Sequence, residues 1–562
     1  MKRNIKQIKD CESVALWGCA LQNENDILFF NLLSKLSFST ISHLKSSVNM
    51  LEKVFGSAVY GIDATTITVE VHIDKGVGYH LVGLPDSAIK ESSYRIAAAL
   101  KNNGYRMPGR KITINLAPAN LRKEGSSYDL VIAIGILVSS SQITLQKTLG
   151  DYVIMGELSL DGSLQCINGT LPIAIKAKEE GFKGIIIPKG NEKEAAIVEG
   201  LDVYGVSKID EVIDFLSGKV NLEPVKLDLK AMFNDDSENH LAIDFKDVKG
   251  QESIKRAMEI AAAGGHNIIL IGPPGSGKTM LAKRLPSILP SMTLDEALET
   301  TKIHSVVGKA KDSGLICNRP FRSPHHTASS VSLVGGGGYP QPGEISLAHN
   351  GVLFLDELPE FRRDVLEVMR QPLEDREVTI SRSRFTITYP SSFMLVASMN
   401  PSPSGYFNDP DAPIKSSHAE MQRYLNKVSG PLLDRIDIHI EVNPVPFEKL
   451  SDKQLSEPSK DIKERVIAAR NIQSTRFEPH KGVHYNAQMN TALIRKYCSL
   501  EEDSLSLLKS AMDRLNLSAR AYDRILKVSR TIADLDYSEK IMPQHIAEAI
   551  QYRSLDREGW LG

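Results

Sequence analysis

One segment of the sequence combines glycines, a lysine and a threonine at the spacing of a phosphate-binding loop. Its residues are Gly272, Pro273, Pro274, Gly275, Ser276, Gly277, Lys278 and Thr279. They match the pattern GxxxxGK followed by serine or threonine, between an apolar run and a helix-like run. Backbone N–H groups of such a loop wrap phosphate oxygens, Lys278 supplies positive charge, and the Thr279 hydroxyl is a magnesium ligand. The segment therefore predicts a site for ATP and Mg²⁺.

A second segment supplies the carboxylates that this chemistry needs. An apolar run from Gly351 to Leu355 ends in Asp356 and Glu357. The carboxyl end of a central parallel strand lies beside the phosphate loop in folds of this type, so we expect Asp356 to hold magnesium and Glu357 to act as general base. Two acidic residues also cap helices, and the first motif alone fits a glycine-rich turn. The two motifs together favour a nucleotide site.

The composition of the whole chain limits the class of protein. Its 562 residues correspond to about three or four domains, and 42% hydrophobic with 24% charged residues is typical of folded proteins. A net charge of −2 gives no general attraction for nucleic acid, so a DNA contact requires a local basic surface. The five cysteines show no CxxC spacing. Neither a membrane span nor a signal peptide is recognisable, and we expect a cytoplasmic protein.

The elements that must position these motifs are predicted by hydrophobic periodicity. Residues 50–222 and 250–446 each alternate strand and helix patterns, and residues 223–249 are polar and predict an exposed linker. The last unit, residues 447–562, is predicted to be helical from Lys460 to Arg553. The pattern is strand-like from Phe55 to Val82, with β-branched alternation at Thr65–Val71. The other predicted strands are Lys111–Leu116, Val153–Leu160, Gly184–Pro188 and Asn267–Ile271, and the predicted helices are Ser87–Asn102, Leu130–Val138 and Glu252–Ala263. This pattern indicates an α/β multidomain fold. Residues 1–49 fit none of these units, and translation beginning at Met50 is one explanation for them.

Four further segments resemble motifs of the magnesium-chelatase-like AAA+ ATPases of the YifB family. They are Phe55-Gly56-Ser57-Ala58, Phe321-Arg322-Ser323-Pro324-His325-His326, Gly430-Pro431-Leu432-Leu433-Asp434-Arg435-Ile436-Asp437 and Ser518-Ala519-Arg520-Ala521. The resemblance implies a Lon-protease-like α/β amino-terminal domain at 50–222 and an AAA+ core with a parallel sheet at 250–446. It also implies a helical lid at 447–562.

The resemblance implies catalytic roles for two residues near the nucleotide. Asn400, at the end of a strand, matches sensor 1, whose amide orients the lytic water. Arg435 resembles the arginine finger, which neutralises transition-state charge in the neighbouring subunit. An arginine in this setting also forms local ion pairs, here with Asp434 or Asp437.

Arg520 stands at the position of sensor 2 in the helical lid, and Arg524, one helical turn later, is the second candidate. Each is by itself also typical of a solvated helix surface. An arginine finger that acts in trans leaves a single chain incomplete. The resemblance therefore implies a closed ring of identical subunits, a homohexamer.

Residues Glu377–Tyr389 alternate as two strands joined by a cationic turn, which predicts a β-hairpin with Arg382 and Arg384 at its tip. In the family this hairpin faces the pore of the ring. The resemblance thus implies that both arginines contact phosphates of a threaded DNA strand, single-stranded or branched. Two arginines at a turn are otherwise ordinary solvated residues.

The Lon-like domain raises the alternative of a protease. Lon enzymes activate a serine with a lysine. Ser127 falls near the nucleophile position, but Thr170 and Leu171 occupy the lysine position, and Lys176 lies too far along the following helix. Proteolysis is therefore not expected.

Metal ligands are also not expected outside the nucleotide site. Relatives often carry a cysteine-rich insert where this chain has Pro401–Ser416, which contains no cysteine. The adjacent His325 and His326 lack partners at ligand spacing, and the glycines at 335–338 are expected to form a mobile loop.

The leading hypothesis is a hexameric AAA+ ATPase that moves along DNA and drives branch migration during natural transformation. A metal-chelatase motor subunit shares the same core and hairpin, but its usual form lacks a Lon-like domain. A protein-remodelling ring is the third alternative. It would favour an aromatic residue at the hairpin tip, where this chain has arginine.

Overall fold

The computed structural model describes residues 51–229, 243–310, 314–382, 385–402, 418–446, 456–515 and 517–553. Three parts of the chain named above lie outside the described residues. They are residues 1–50, Arg384 and most of Pro401–Ser416, the segment without cysteine. The described part of the chain is a mixed α/β structure with two large sheets followed by a group of helices. No helix within it is both long and apolar enough to cross a membrane.

The amino-terminal sheet is built from strands of residues 51–206. Within the described residues its order is β3-β4-β2-β1-β5-β8-β9, with β6 and β7 paired apart from it. The strands are β1 (Leu51–Tyr60), β2 (Asp63–Asp74), β3 (Gly78–Val82), β4 (Lys111–Ala117), β5 (Tyr152–Ile154), β6 (Glu157–Leu158), β7 (Leu164–Gln165), β8 (Gly184–Pro188) and β9 (Asp202–Val206). The helices are α1 (Ser87–Asn102), α2 (Asp129–Ser139), α3 (Thr170–Glu179), α4 (Glu192–Ala195) and α5 (Ile209–Leu216).

Local sequence explains most of these elements. In β2 every second residue from Ile67 to Ile73 is buried, as expected for a strand with one face on the core. Helix α1 begins after Asp86, whose carboxylate accepts the Ile89 N–H at 2.9 Å, and it matches the predicted bounds. Helix α2 is apolar on all sides and is almost completely buried.

Two predictions for this unit are wrong in part. The strand expected over Val153–Leu160 is divided, because the N–H of Gly156 bonds to the carbonyl of Ser127 instead of continuing along the sheet. The first residues of the segment 223–249, which was predicted to be an exposed linker, contact the core of the amino-terminal unit. There Val225 donates to the Val203 carbonyl at 2.9 Å and Leu227 packs on buried residues. Apolar contacts, which composition alone did not reveal, hold this segment.

The second sheet is parallel, with the order β11-β14-β17-β10-β18 in the described residues. Its strands and the small ladders around it are β10 (Ile268–Ile271), β11 (Phe321–Arg322), β12 (Gly335–Gly336), β13 (Gln341–Pro342), β14 (Val352–Leu355), β15 (Glu377–Arg382), β16 (Phe385–Pro390), β17 (Met394–Met399) and β18 (Ile438–Glu441). The helices are α6 (Glu252–Gly264), α7 (Lys278–Arg284), α8 (Leu294–Val306), α9 (Ser330–Val334), α10 (Glu344–Leu347), α11 (Arg363–Glu367), α12 (Arg370–Asp375), α13 (His418–Leu425) and α14 (Gly430–Leu433). Strands β10, β14 and β17 are buried throughout, which explains their continuous apolar sequences.

The carboxyl-terminal residues form helices, as predicted. They are α15 (Ser459–Phe477), α16 (Thr491–Tyr497), α17 (Glu502–Leu515), α18 (Ala519–Leu535) and α19 (Pro543–Gln551). Their apolar faces share one core with α6 and with strands β10 and β18. These helices therefore reach the end of the parallel sheet at which β18 begins, where Arg553 donates to the Ile436 carbonyl at 2.7 Å.

Candidate nucleotide-binding site

The phosphate-binding loop leaves the carboxyl end of β10, which lies between β17 and β18. Gly275 and Gly277 have φ angles of +77° and +90°, a region that L side chains rarely adopt. A Cβ atom at Gly272 would lie 2.3 Å from the Val442 carbonyl oxygen, so that position also requires glycine. The glycines thus let the loop turn tightly at the end of the strand.

Lys278 begins helix α7 and is buried under this loop. Its Nζ donates to the Gly272 carbonyl at 2.6 Å, to the Pro273 carbonyl at 2.9 Å and to Asn400 Oδ1 at 3.3 Å. Burial lowers the pKa of Lys278, and the nearby Asp356 carboxylate acts in the opposite direction. Lys278, Asn400 and Asp356, which were all predicted for the site, therefore lie close together.

Asp356 follows β14, and β17 lies between that strand and the phosphate loop. The Thr279 hydroxyl donates to Asp356 Oδ2 at 2.8 Å, which brings together the two predicted magnesium ligands. Ser398 donates to the other carboxylate oxygen, and the Glu357 N–H also donates to it at 3.1 Å. The carboxylate is therefore held in one orientation with its oxygens toward Thr279.

Ser276 provides a test of whether the loop fits a nucleotide. Its hydroxyl is buried and has no hydrogen-bond partner among the described residues. A buried hydroxyl without a partner costs about 1–3 kcal/mol, and a phosphate oxygen is a suitable acceptor. The oxygens of Thr279 and Asp356 are hard ligands of the kind that Mg²⁺ prefers. The residues present thus fit ATP with magnesium.

Glu357 has a left-handed backbone, with φ 54° and ψ 51°, which turns its side chain away from the strand. The carboxylate is about half exposed, and His326 Nδ1 lies 3.3 Å from its Oε2. His326 packs on His325, with ring centroids 4.1 Å apart. The predicted general base is therefore in contact with a histidine for which the sequence had suggested no catalytic role.

The three predicted arginines lie at the opposite end of the parallel sheet. Arg435 precedes β18, is 6% exposed, and donates to the Pro431 carbonyl and to the Glu374 carboxylate. A strand of four residues spans about 10 Å, so this end is separated from the phosphate loop at the other end. Within one chain, Arg435 is not brought to Lys278 and Asp356.

Arg520 and Arg524 pair with Asp434 and Asp437, the two carboxylates that the alternative interpretation had assigned to Arg435. Arg520 lies 3.1 Å from Asp434, and Arg524 lies 3.0 Å from Asp437. Arg520 is 62% exposed, whereas Arg524 is mostly covered. Both helix α18 arginines therefore belong to the amino end of the sheet.

Three family descriptions match successive parts of the chain. "Subunit ChlI of Mg-chelatase" matches residues 69–191, "Magnesium chelatase, subunit ChlI" matches residues 244–450, and "Magnesium chelatase, subunit ChlI C-terminal" matches residues 456–553. The YifB protein of Escherichia coli (strain K12) is 46% identical over 510 residues, which cover 90% of this chain and 98% of that protein. The chain belongs to the magnesium-chelatase-like YifB family.

A second relative in the YifB family has a functional name. Competence protein ComM of Haemophilus influenzae is 44% identical over 508 residues, which cover 90% of this chain and 97% of that protein. Lon protease 2 of Bacillus subtilis is 29% identical over 181 residues, 29% of this chain and 32% of that protein. The similarity to Lon is thus limited to part of each chain.

The hairpin predicted for this YifB family chain is confirmed. Strands β15 and β16 pair antiparallel, and Arg382 lies opposite Phe385 at the turn. The Arg382 side chain is exposed, and Arg384 lies outside the described residues. Buried side chains such as Ile380 and Tyr389 pack one face of the hairpin on the core of the second unit, while Arg382 at the turn is exposed.

The glycine run beside the hairpin differs from the expectation of a mobile loop. Gly335 and Gly336 form strand β12, which pairs with Gln341 and Pro342 of β13. A Cβ atom at Gly335 would lie 2.2 Å from the Gln341 carbonyl oxygen, so the glycines permit this close pairing. Within the described ranges, no three His, Cys, Asp or Glu side chains are grouped as metal ligands would be.

Two residues at the site were missed by sequence analysis. Ser398 lies in the apolar run of β17 and carried no separate signal, although it holds Asp356. His326 belongs to a motif that was used as a family marker, and the histidine was otherwise considered only as a metal ligand and not expected to be one. Strand β11 lies beside β14 in the sheet, and this neighbour relation brings the segment after β11 to Glu357.

Proposed function

We propose that this protein is a ring-forming AAA+ ATPase, a homohexamer, that couples ATP hydrolysis to movement along DNA. The observation that carries the proposal is the division of the predicted site between the two ends of the parallel sheet. Lys278, Thr279 and Asp356 cluster at one end, and Arg435 lies at the other. A neighbouring subunit that presents its amino end to this loop would complete the site.

Each residue at the carboxyl end has a chemical task in this proposal. Lys278 neutralises phosphate charge, and Thr279 with Asp356 holds Mg²⁺, which when bound stabilises negative charge on the phosphate oxygens. Glu357 accepts a proton from the attacking water through its carboxylate, and the Asn400 amide orients that water. The buried surroundings of Lys278 strengthen its attraction for phosphate.

The arginines act in trans in this proposal. Arg435 exchanges its contact with Glu374 for the transferred phosphoryl group of the adjacent subunit, and Arg520 or Arg524 serves as sensor 2 there. A carboxylate partner within the chain keeps Arg435 satisfied until the neighbour docks. Hydrolysis then depends on assembly.

DNA is the proposed substrate of the motor. Arg382 and Arg384 at the tip of the hairpin would contact phosphates of a single-stranded or branched DNA in the ring, independent of sequence. The chain has a net charge of −2, so these local arginines would provide the attraction that the whole chain lacks. The similarity to Competence protein ComM supports branch migration during natural transformation.

The proposal assigns the units of the chain accordingly. Residues 50–222 form a Lon-protease-like domain without proteolysis, residues 250–446 the AAA+ core, and residues 447–562 the helical lid. Residues 223–249 join the first two units. The partial similarity to Lon protease 2 supports the first assignment.

The deciding experiment measures ATP turnover with and without single-stranded and forked DNA. We compare the wild type with the double variant Arg382→Ala/Arg384→Ala and with Arg495→Ala, which removes an exposed arginine on α16. DNA should raise turnover in the wild type and in Arg495→Ala, and the rise should be lost in the double variant. The basal rate without DNA should be the same in all three.

The other outcomes separate the alternatives. Turnover that no DNA changes in any variant would contradict the DNA motor and leave an ATPase of the chelatase or protein-remodelling type. Stimulation that persists in the double variant would contradict the role of the hairpin. Absence of turnover from assembled rings would contradict the ATPase itself.

A further inference from the structure

A cavity of about 400 Å³ lies where the amino-terminal sheet meets the second unit. Its walls are the end of β1, the loop 122–128, the loop 166–169 and Tyr339 from the segment between β12 and β13. This volume is within the range of ligand-binding pockets. The cavity is remote from the phosphate loop, since none of the residues 272–279 lines it.

One wall of the cavity is an open strand edge. Strand β5 ends at Ile154, whereas its neighbour β1 continues to Tyr60. On this edge the Ser57 N–H meets only the Met155 sulfur, at 3.2 Å, and the Val59 carbonyl accepts the Tyr339 hydroxyl. Thioether sulfur is a weak acceptor, so the edge lacks a strand partner within the described residues. An edge of this kind pairs with an extended peptide.

The polar walls are predominantly acidic. Asp86, Glu124 and Glu157 line the cavity, against one guanidinium, that of Arg122. Arg122 is paired with Glu124 at 2.9 Å. The remaining two carboxylates accept hydrogen bonds from neutral groups: Asp86 from backbone N–H groups and Glu157 from the Ser126 hydroxyl. The Arg95 guanidinium also acts on Glu157, but its own partner is Asp129 at 2.6 Å. This charge balance favours a cationic side chain.

The cavity contains a serine but not the groups that would activate it. Ser127 lines the wall, and no basic side chain among the described residues is hydrogen-bonded to its hydroxyl. Lys123 is buried and directs its Nζ to the Gly83 and Pro118 carbonyls. Thr170, at the position of the Lon lysine, is buried with an unpartnered hydroxyl. The site is therefore suited to binding and not to peptide cleavage.

We propose that this cavity binds an extended peptide segment with basic side chains. The main chain of the segment pairs with β1 between Ser57 and Val59, and a lysine or arginine side chain lies against Glu157, on the acidic wall that Asp86 and the Arg122-paired Glu124 extend. This inference goes beyond the motor function, because it requires neither ATP nor DNA. The bound segment would contact Tyr339, whose ring also packs edge-to-face on Tyr60 at 6.3 Å.

The test measures fluorescence anisotropy of a fluorescein-labelled Val-Lys-Val-Arg-Val amide titrated with the full chain, without nucleotide or DNA. Wild type should bind it saturably. Two comparison peptides should bind at least about tenfold more weakly: one with glutamate in place of lysine and arginine, and one with alternate backbone nitrogens methylated. The first tests the charge and the second the strand pairing.

Variants locate the binding in this cavity. Glu124→Gln/Glu157→Gln removes two charges with little change in shape, and Ser127→Leu fills the cavity. Each should weaken binding at least about tenfold. The matched control is Glu199→Gln, an exposed glutamate of the same unit, which should bind as the wild type does. Thermal unfolding checks that each variant is folded, and the peptide comparison needs no variant.

Several outcomes would overturn the proposal. They are absence of saturable binding by wild type up to about 1 mM peptide, equal binding of the methylated or the glutamate peptide, and unchanged binding in both cavity variants. DNA-stimulated turnover is measured separately and does not enter this result. Failure of the cavity proposal and failure of the motor proposal are therefore distinguishable.

Discussion

The two ends of the five-stranded parallel sheet carry polar groups of different kinds. At the carboxyl end, Lys278, Thr279 and Asp356 converge on one loop that also contains the unpartnered Ser276 hydroxyl. At the amino end, each candidate arginine already has a carboxylate partner in the same chain. The groups of the first end are already arranged as a nucleotide site requires, whereas in the proposed function the arginines of the second end exchange partners before they act.

The two ends therefore differ in what their side chains need before they can meet a nucleotide. The carboxyl end is organised by contacts between neighbouring strands of one chain, so its geometry does not depend on another subunit. Arg435 is buried against Glu374, and its release requires a competing negative charge. Variants at the two ends should therefore fail in different ways.

The largest effect is expected for Glu357→Gln at the carboxyl end. Loss of the general base should lower ATP turnover about 1,000-fold. Nucleotide binding and stability should change little, because the side chain is about half exposed and pairs only with His326 among the contacts seen here. Steady-state turnover and nucleotide binding are measured beside Glu360→Gln, an exposed glutamate nearby. Equal turnover in both variants would contradict the assignment of the base.

At the amino end, Arg524→Ala should mainly reduce stability. Burial opposes ionisation of Asp437, but Arg524 and His266 together hold its pKa well below the usual range. Removing Arg524 leaves a buried carboxylate without its strongest partner, at a cost of about 3 kcal/mol in the free energy of unfolding. Arg520→Ala, on an exposed arginine, should cost less than about 1 kcal/mol. Denaturant unfolding at pH 7 compares the two.

The same pair predicts a pH dependence with a definite sign. A carboxyl whose folded pKa is lowered contributes stability above its unfolded pKa of about 3.9, and that stability is lost as pH falls below this value. The difference in unfolding free energy between wild type and Arg524→Ala should therefore be constant above about pH 5 and shrink below about pH 4. A difference that is independent of pH would exclude Asp437 as the cause.

Arg435→Ala should lower turnover at least about 100-fold if the arginine acts on the neighbouring subunit. Mixing equal amounts of Arg435→Ala and Glu357→Gln subunits would restore about one quarter of the interfaces. A competent interface needs an intact Glu357 from one subunit and an intact Arg435 from its neighbour, and each is present half of the time. Turnover of the mixture should then approach about a quarter of the wild-type rate. No recovery from mixed rings would show that both residues act within one chain.

A smaller effect is expected for Ser398→Ala, which removes a hydrogen bond to Asp356 at the carboxyl end. Loss of one hydrogen bond to a charged group should reduce turnover about tenfold. The matched control is Ser391→Ala, because Ser391 is buried and its hydroxyl has no partner in the described structure. Both rates are measured at saturating Mg²⁺ and again at limiting Mg²⁺. A defect equal in the two serine variants would indicate a packing effect.

The smallest effect is expected for His326→Ala. The histidine restrains the Glu357 carboxylate through a partly exposed contact, of a kind worth less than about 1 kcal/mol. Its removal should raise basal turnover about threefold by freeing the base. His325→Ala, which leaves this contact in place, is the control. A large loss of turnover in His326→Ala would instead make the histidine part of the catalytic machinery.

Much of the carboxyl end could be predicted from sequence because its signals are local. Gly272–Thr279 lie within one loop, and Asp356 and Glu357 directly follow one apolar strand. The helix Ser87–Asn102 and the strand Gly184–Pro188 were also predicted with the bounds that the structure shows. In each case a few neighbouring residues determine the conformation.

Contacts between distant segments could not be predicted in this way. The division of Val153–Leu160 depends on Ser127, and the contacts of Val225 and Leu227 depend on β9 and the first core. An ion pair of Arg435 with Asp434 or Asp437 was the alternative to the arginine finger, but Arg435 pairs with Glu374 and α18 brings Arg520 and Arg524 to these carboxylates. Spacing along the chain contains no information on such partners.

The sequence by itself was therefore enough to identify the phosphate loop, the acidic pair and the family, because each is recognised from short runs of neighbouring residues. Tertiary structure decided what meets these motifs. The order β11-β14-β17-β10-β18 brings His326 to Glu357 and Ser398 to Asp356, and it leaves the arginines at the other end. Strand order is fixed by packing of the whole core, so it is a property of the assembled chain and not of any one segment.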